Sequence, residues 1–392
     1  MTTGAKRVIF VLDSYWPNQD GVSTVVQYLS EGLAKKGYIV EVLANAKDRK
    51  LPKEEVHEGV FVKRFNIETK WPFSFKAMNS YSDIQAYRRE IELFNPDAVI
   101  VESLRSWTND WFVRFANDFT CTKILHLHSD ILDYREYGLG GVDFKIKNWG
   151  NILYQIRMQH KMRSYWKNIN QSLDKYDEIL YLTPNSPGIE KYRKVGKAKT
   201  CLLENAVDDI FFTPEMQHCT KEKNICRFLC VANYMERKNQ GMLIEAYQRA
   251  AFSKKTELIF VGNGSHEYMQ LLREKAQAFS SDDKDICFYR GIERKAILEL
   301  YQKADILVLS SLWEASAIVL REAAACGMGI ISTDVGDARN IDGCQIVHTV
   351  DEMRMALEKG ESLAESNRYR VLEWANNNCR RSSAISKLEE CI

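Results

Sequence analysis

No apolar run in this chain of 392 residues approaches the ~18 residues needed to cross a bilayer, and the N-terminus has no signal-peptide pattern. A cytoplasmic protein is therefore expected. An excess of charge of one sign is also missing. Lys and Arg number 54 against 53 Asp and Glu, so the net charge of +1 gives no overall drive toward nucleic acid, although local patches remain free to act. The ten cysteines are scattered and none forms a Cys-x-x-Cys pair. Because Cys226, Cys230 and Cys326 fall in apolar stretches, buried reduced thiols are expected rather than a disulfide framework. No repeat of ~20–50 residues marks a solenoid. Metal signatures are lacking as well, since the seven histidines form no His-x-x-x-His pair and have no Cys partners at ligand spacing. Asp283-Lys284-Asp285 follows Ser280-Ser281-Asp282 in a polar stretch, which reads as a solvated turn. No metal and no separate cofactor are expected.

The chain is longer than a single core usually grows, so two domains are expected, and 45% hydrophobic with 27% charged residues is ordinary for a globular protein. Two series of alternating strand and helix signals bear this out. The first has a strand at 7–12, a loop at 13–20, a helix from 21 or 23 to 36 closed by Gly37, and a strand at 39–44. Apolar runs at 60–65, 98–101, 123–127 and 178–183 continue it. The second has strands at 227–232, 257–261 and 286–289, with helices at 240–251, 268–278 and 295–303. The polar segment 213–224 reads as the linker. This pattern predicts an α/β chain of two Rossmann-like halves with a cleft between them.

The richest segment is 304–340, ADILVLSSLWEASAIVLREAAACGMGIISTDVGDARN. A β-branched strand at 306–309 runs into a loop at 310–316; an apolar helix begins near Ala317 and ends at Cys326-Gly327, and a strand at 329–332 follows. The N-terminus of such a helix faces the end of the sheet where phosphates bind. Glu314 lies just before the helix, and Glu322 is about five residues into it, roughly 8 Å further at ~1.5 Å per residue. Ionised carboxylates accept hydrogen bonds, so the pair suits the hydroxyls of a sugar and of a ribose on either side of a diphosphate. Taken as an isolated pair, the same glutamates would more often be a solvated loop acid and a partner of a distant Arg.

This segment resembles the retaining glycosyltransferases of family four, whose signature is such a glutamate pair followed by EAxxxG and a strand. The resemblance covers nearly the whole chain. It implies the GT-B fold, with an acceptor-binding N-terminal domain at 1–212, a nucleotide-sugar-binding domain at 213–365, and a helix at 366–392, anchored by Tyr369 and Trp374, that returns to the N-terminal domain. Residues 201–212, CLLENAVDDIFF, resemble the family's Asn-Gly-Val-Asp interdomain element with Ala206 in place of Gly.

The same resemblance implies roles at single positions. Glu314 would contact the donor sugar, Glu322 would hold the ribose, and the backbone amides of Ala317, Ile318 and Val319 would hold the diphosphate. Lys238 would neutralise the leaving diphosphate in place of a metal, with Arg237 as a reserve cation suited to phosphate. Relatives have an Arg where Asn233 stands. Gly21 would let the backbone approach phosphate or sugar. His128 would lie close to the donor sugar, while His126 is expected to turn into the core. Gly262-Asn263-Gly264 lacks the third glycine of a dinucleotide fingerprint and reads as a wall on the nucleotide side. The family usually has Gly, an aromatic and Gly after its first glutamate, and here Ala315, Ser316 and Ala317 replace them.

The expected activity is transfer of a sugar from a nucleotide-diphosphate sugar to a hydroxyl of a glycan or lipid-linked acceptor, by a retaining, metal-independent hexosyltransferase. The alternatives are a GT-B epimerase and a catalytically silent subunit that binds nucleotide sugars. One further segment bears on location. Residues 144–171 carry Lys145, Lys147, Arg157, Lys161, Arg163 and Lys167 with no acid, interleaved with Trp149, Tyr154, Tyr165 and Trp166. Such a helix suits either packing on the N-terminal sheet or lying on an anionic membrane, which would make the protein peripheral on the inner face.

Overall fold

Alternating buried strands and amphipathic helices give each half of this chain its own parallel sheet. The computed structural model describes residues 4–18, 20–46, 48, 50–70, 73–77, 79–104, 106–129, 172–217, 224–277 and 283–392. The basic aromatic segment 144–171 lies outside them. Two compact units are present, residues 1–203 with 384–392, and residues 204–383.

In the first unit the strands are β1 (Arg7–Leu12), β2 (Ile39–Asn45), β3 (Glu54–His57), β4 (Val60–Phe65), β5 (Thr69–Lys70), β6 (Phe73–Ala77), β7 (Ala98–Glu102), β8 (Thr122–His126), β9 (Glu178–Tyr181) and β10 (Lys199–Leu202). Eight of them form one sheet in the order β10-β9-β8-β7-β1-β2-β4-β3, while β5 and β6 pair separately. The sheet is parallel except for β3, which turns back on β4 as an antiparallel edge strand that sequence reasoning did not anticipate. Val8 to Leu12 of β1 are fully buried, as a central parallel strand covered on both faces requires. The helices are α1 (Gly21–Lys35), α2 (Tyr81–Phe94), α3 (Trp107–Phe112) and α4 (Pro187–Tyr192).

The second unit holds α5 (Pro214–Gln217) and a six-stranded parallel sheet, β13-β12-β11-β14-β15-β16, made of β11 (Ile225–Val231), β12 (Lys255–Gly262), β13 (Lys284–Arg290), β14 (Ile306–Leu309), β15 (Gly329–Thr333) and β16 (Cys344–Val347). Its later helices are α6 (Gln240–Arg249), α7 (His266–Gln277), α8 (Arg294–Lys303), α9 (Ile318–Ala325), α10 (Val350–Glu358) and α11 (Gly360–Asn378), and α12 (Arg381–Glu389) follows. Among the parallel strands of each sheet the order reverses at one place, between β1 and β7 in the first unit and between β11 and β14 in the second. Ligands of open α/β sheets bind outside the carboxyl ends of the strands at such a reversal.

Three expectations need correction. The unit boundary falls at 203/204 rather than 212/213, because Val207, Phe211, Phe212 and Met216 pack into the core of the second unit. The expected linker therefore begins inside that core. The helix expected at 366–392 does not go as a piece to the N-terminal domain. Val371 and Ala375 of α11 are buried in the core of the second unit with Trp374 packed against them, while Tyr369 is 82% exposed and anchors nothing. Only residues 384–392 join the first unit. There Ile385 occupies the space where a Cβ on Gly32 of α1 would stand, 2.2 Å from its Cδ1, and Lys36 pairs with Glu389. Finally, Lys284 and Asp285 belong to the edge strand β13 rather than to a turn, with Asp285 paired to Lys255 at 2.8 Å.

Nine cysteines are described and all are free thiols, with Cys226, Cys230 and Cys326 buried. Among the described residues no helix is long and apolar enough to cross a membrane.

Candidate functional site

The two loops at the reversal in the second unit are tied to each other. The chain leaving β11 runs through residues 232–239 and the chain leaving β14 through 310–317. Ser310 Oγ donates to the Lys238 carbonyl at 2.9 Å, and the Leu312 amide donates to the Arg237 carbonyl at 2.9 Å. Across this join Lys238 forms an ion pair with Glu314, and Ser311 Oγ donates to the same Glu314 oxygen at 2.6 Å. The structure thus brings together two of the residues singled out by sequence, and each supplies the other's counter-charge. Arg237 instead lies over the Trp313 ring at 5.3 Å.

Helix α9 begins where expected, with Ala317 as its N-cap residue. Ala cannot cap, and the carboxylate of Asp337 does so, accepting from the Ala317 amide at 3.3 Å and from Ser316 Oγ at 3.2 Å. One of the three amides expected to hold a diphosphate is thus already engaged, leaving Ile318 and Val319 in a first turn that has no intrahelical acceptors. Asp337 is neutralised by the fully buried Arg321, whose Nε donates to it at 2.7 Å. Gly336 makes the loop possible. It has φ +56°, and a Cβ there would lie 3.2 Å from the Ala315 carbonyl oxygen. A glycine on the facing loop therefore provides room where the family's glycines beside Glu314 are missing.

Glu322 points from α9 to the Tyr301 hydroxyl on α8, which donates at 2.6 Å. Asn233 accepts from the Asn263 amide at 3.1 Å, so it buttresses a loop. A Cβ on Gly262 would sit 2.1 Å from the Ala232 carbonyl oxygen, and one on Gly264, which has φ +104°, would sit 2.6 Å from that of Tyr234. Here the two glycines serve close approach of two backbones.

At the reversal in the first unit, α1 starts at Gly21 behind Asp20, whose Oδ1 caps the Ser23 amide at 2.9 Å. Nothing lies within 4 Å of a Cβ built on Gly21, so an approaching ligand would meet no side chain there. His128 lies two residues beyond β8, and its Nε2 is 2.6 Å from Glu102 Oε2 at the end of β7. His126 is buried as expected, but it does not face away from His128. The two rings are 4.4 Å apart, and His126 Nδ1 is 2.9 Å from the same Glu102 oxygen. Strand neighbours alternate, whereas positions i and i+2 share a face.

Residues 20–183 match the model of the glycosyl transferase 4-like domain, and residues 212–342 match that of glycosyl transferases group 1. The chain belongs to the group 1 glycosyltransferases. This transferase is 22% identical over 367 residues to a phosphatidylinositol N-acetylglucosaminyltransferase subunit from Arabidopsis thaliana, an alignment covering 91% of the chain and 74% of that protein. Among solved structures it is similar to sucrose-phosphate synthase from Thermosynechococcus elongatus, with TM-score 0.72, 15% identity and 98% of each chain covered. It is also similar to Anabaena HepE in complex with UDP, with TM-score 0.70, 13% identity and 98% of each chain covered. The fold is GT-B, and the activity of the family is sugar transfer from a nucleotide sugar. Both family models describe transferases, so neither favours an epimerase or a silent binding protein.

Electrostatics of the transferase follow from burial and pairing. Burial pushes Glu102 up, but the charges and hydrogen bonds of His126 and His128 outweigh it and hold the carboxyl at about 2. Burial and the charge of His126 bring His128 below its ordinary value of 6.5, although Glu102 and Asp20 pull the other way. Burial raises Glu322 against the opposing effects of the Tyr301 hydrogen bond and the Arg294 charge. Two groups bring three potential metal-binding atoms within 4.8 Å of one another, Glu102 with His126 and His128, and Glu178 with Cys201 and Cys391.

Sequence reasoning missed Glu102, Arg321, Tyr301 and Asp337. Glu102 had a signal, because an acid closing the apolar run Ala-Val-Ile-Val stands at the carboxyl end of a strand, where ligands bind. Tyr301 had none, since only packing of α8 beside α9 gives Glu322 that partner.

Proposed function

We propose that this transferase is retaining and metal-independent and moves a sugar from a nucleoside diphosphate to a hydroxyl of a glycan or lipid-linked acceptor. The observation that carries the reading is the Lys238–Glu314 pair at the reversal of a parallel sheet, beside the N-terminus of α9. Lys238 and the amides of Ile318 and Val319 stabilise the departing diphosphate, with Arg237 in reserve. Glu314 accepts from donor-sugar hydroxyls and Glu322 from the ribose. Gly21 keeps the start of α1 open to the ligand, and His128 contacts the sugar. Asn233 supports the wall formed with Asn263. The acceptor attacks from the face the diphosphate leaves, so no protein nucleophile is required.

The presence of UDP in the HepE structure makes UDP-sugars the first donors to try. The name of the Arabidopsis relative supports a lipid-linked acceptor. A thermal-shift screen with UDP-, GDP- and ADP-sugars tests the donor site. One of them should stabilise the wild type and leave Lys238→Met unmoved, and no shift from any would sink the site. Loss of turnover in EDTA would remove metal independence, and an inverted anomeric centre in the product would remove retention. Flotation with anionic liposomes, comparing wild type with Lys161 and Arg163 changed to Glu, tests peripheral membrane binding by 144–171; equal flotation rejects it.

A further inference from the structure

Beyond the residues that meet the ligand, we infer that Glu102 is a positioning residue that holds His128 with its proton on Nε2, leaving Nδ1 to accept a hydrogen bond from a donor-sugar hydroxyl. The inference rests on the sugar-contacting role proposed above for His128.

Glu102 ends β7 directly opposite His126 of β8 in the sheet register. Its place is fixed on both sides. The Thr108 hydroxyl donates to the Glu102 carbonyl at 2.8 Å, and the next residue, Ser103, turns the chain with φ +73° while its amide donates to the His126 carbonyl at 2.9 Å. A serine in the left-handed region is a strained choice that persists where the surroundings demand it, and such strain gathers at functional sites. The Glu102 side chain is fully buried; its Oε2 lies 2.6 Å from His128 Nε2 and 2.9 Å from His126 Nδ1, and among the described residues Oε1 has no hydrogen-bond partner. A buried carboxylate that leaves one oxygen unsatisfied is costly, and its shortest contact is the one to His128.

The donor and acceptor assignment follows from chemistry. An ionised carboxylate can only accept, so Nε2 must carry the hydrogen, and a neutral imidazole then has a bare Nδ1. The depressed value of His128 keeps the ring neutral at neutral pH. A bare ring nitrogen accepts from a hydroxyl and offers nothing to a phosphate oxygen, which matches a sugar and not the diphosphate.

Long-range proton–nitrogen correlation spectra of the full chain labelled with 15N-histidine at pH 7.5 read the tautomer directly, with His128 assigned by its loss in His128→Asn. The expected spectrum has His128 as the Nε2–H tautomer in wild type and as a mixture in Glu102→Gln. In turnover, Glu102→Gln should lower kcat by about 10- to 100-fold, as loss of a group that orients a functional histidine does. Adding His128→Ala to it should cost no more than His128→Ala alone, because the two act as one unit. An Nδ1–H tautomer in wild type overturns the inference, and this readout stands even if Glu102→Gln does not fold. A wild-type spectrum as expected together with wild-type kcat in His128→Ala overturns the catalytic role beneath it, so the two failures are distinct.

Discussion

Replacing Arg321 with Met should destabilise the second unit more than any exposed substitution could. Arg321 stands one residue before Glu322 and is fully buried. Its guanidinium meets Asp337 and Glu204, donates to the carbonyls of Asn205 at 3.2 Å and Asn378 at 3.4 Å, and lies 5.3 Å from the Trp374 ring centre. Methionine fills the volume of the stem but leaves the carboxylate of Asp337, fully buried, with Ser316 and Ala317 as its donors among the described residues. Breaking a buried pair from one side costs about 3–5 kcal/mol, because a charge is left without compensation. At roughly 2–4 °C per kcal/mol for a unit of this size, its melting transition should fall by about 6–20 °C. Calorimetry is the suitable assay because two units need not melt together. Adding Asp337→Asn removes one stranded charge and should recover part of the loss. A single variant melting within about 2 °C of wild type, or a double variant worse than the single, would refute the reasoning.

Glu41 on β2 is 7% exposed, and burial followed by the charge of Glu90 raises it from 4.5 to about 7. The folded chain then holds a proton that the unfolded chain has released between these values, so stability falls as pH rises through this window. Glu41→Gln should be neutral at pH 4 and more stable than wild type by about 2–3 kcal/mol at pH 8, and equal gains in urea midpoint at both would refute this. Gly264→Ala forces a Cβ onto the Tyr234 backbone at positive φ and should cost at least ~2 kcal/mol. Gly241→Ala, in a helix with nothing nearer than 3.8 Å, should gain about 0.5 kcal/mol; thermal melts that rank the two in the opposite order would contradict the glycine argument. Glu322→Ala should raise the donor KM and Glu314→Ala should mainly lower kcat, and full activity of both in steady-state assays rejects the donor site.

Strands such as Arg7–Leu12 and Ile306–Leu309 were legible to the residue, because a buried parallel strand is a continuous apolar run. The helix after Glu314 was equally clear from its apolar spacing and terminal glycine. Less legible were β3 and the ends of the chain's units, where Glu54–His57 has too little alternating pattern and Phe211 and Phe212 read as the end of the first domain until their core is seen. The sequence by itself determined two Rossmann-like series and the glutamate spacing, since these follow from local periodicity, while Lys238 was singled out by the family resemblance. Only the tertiary structure decided which partners those groups have. Tyr301 for Glu322, Glu102 for His128 and Asp337 with Arg321 at the start of α9 all meet across different elements, and contacts between elements leave no trace in local spacing.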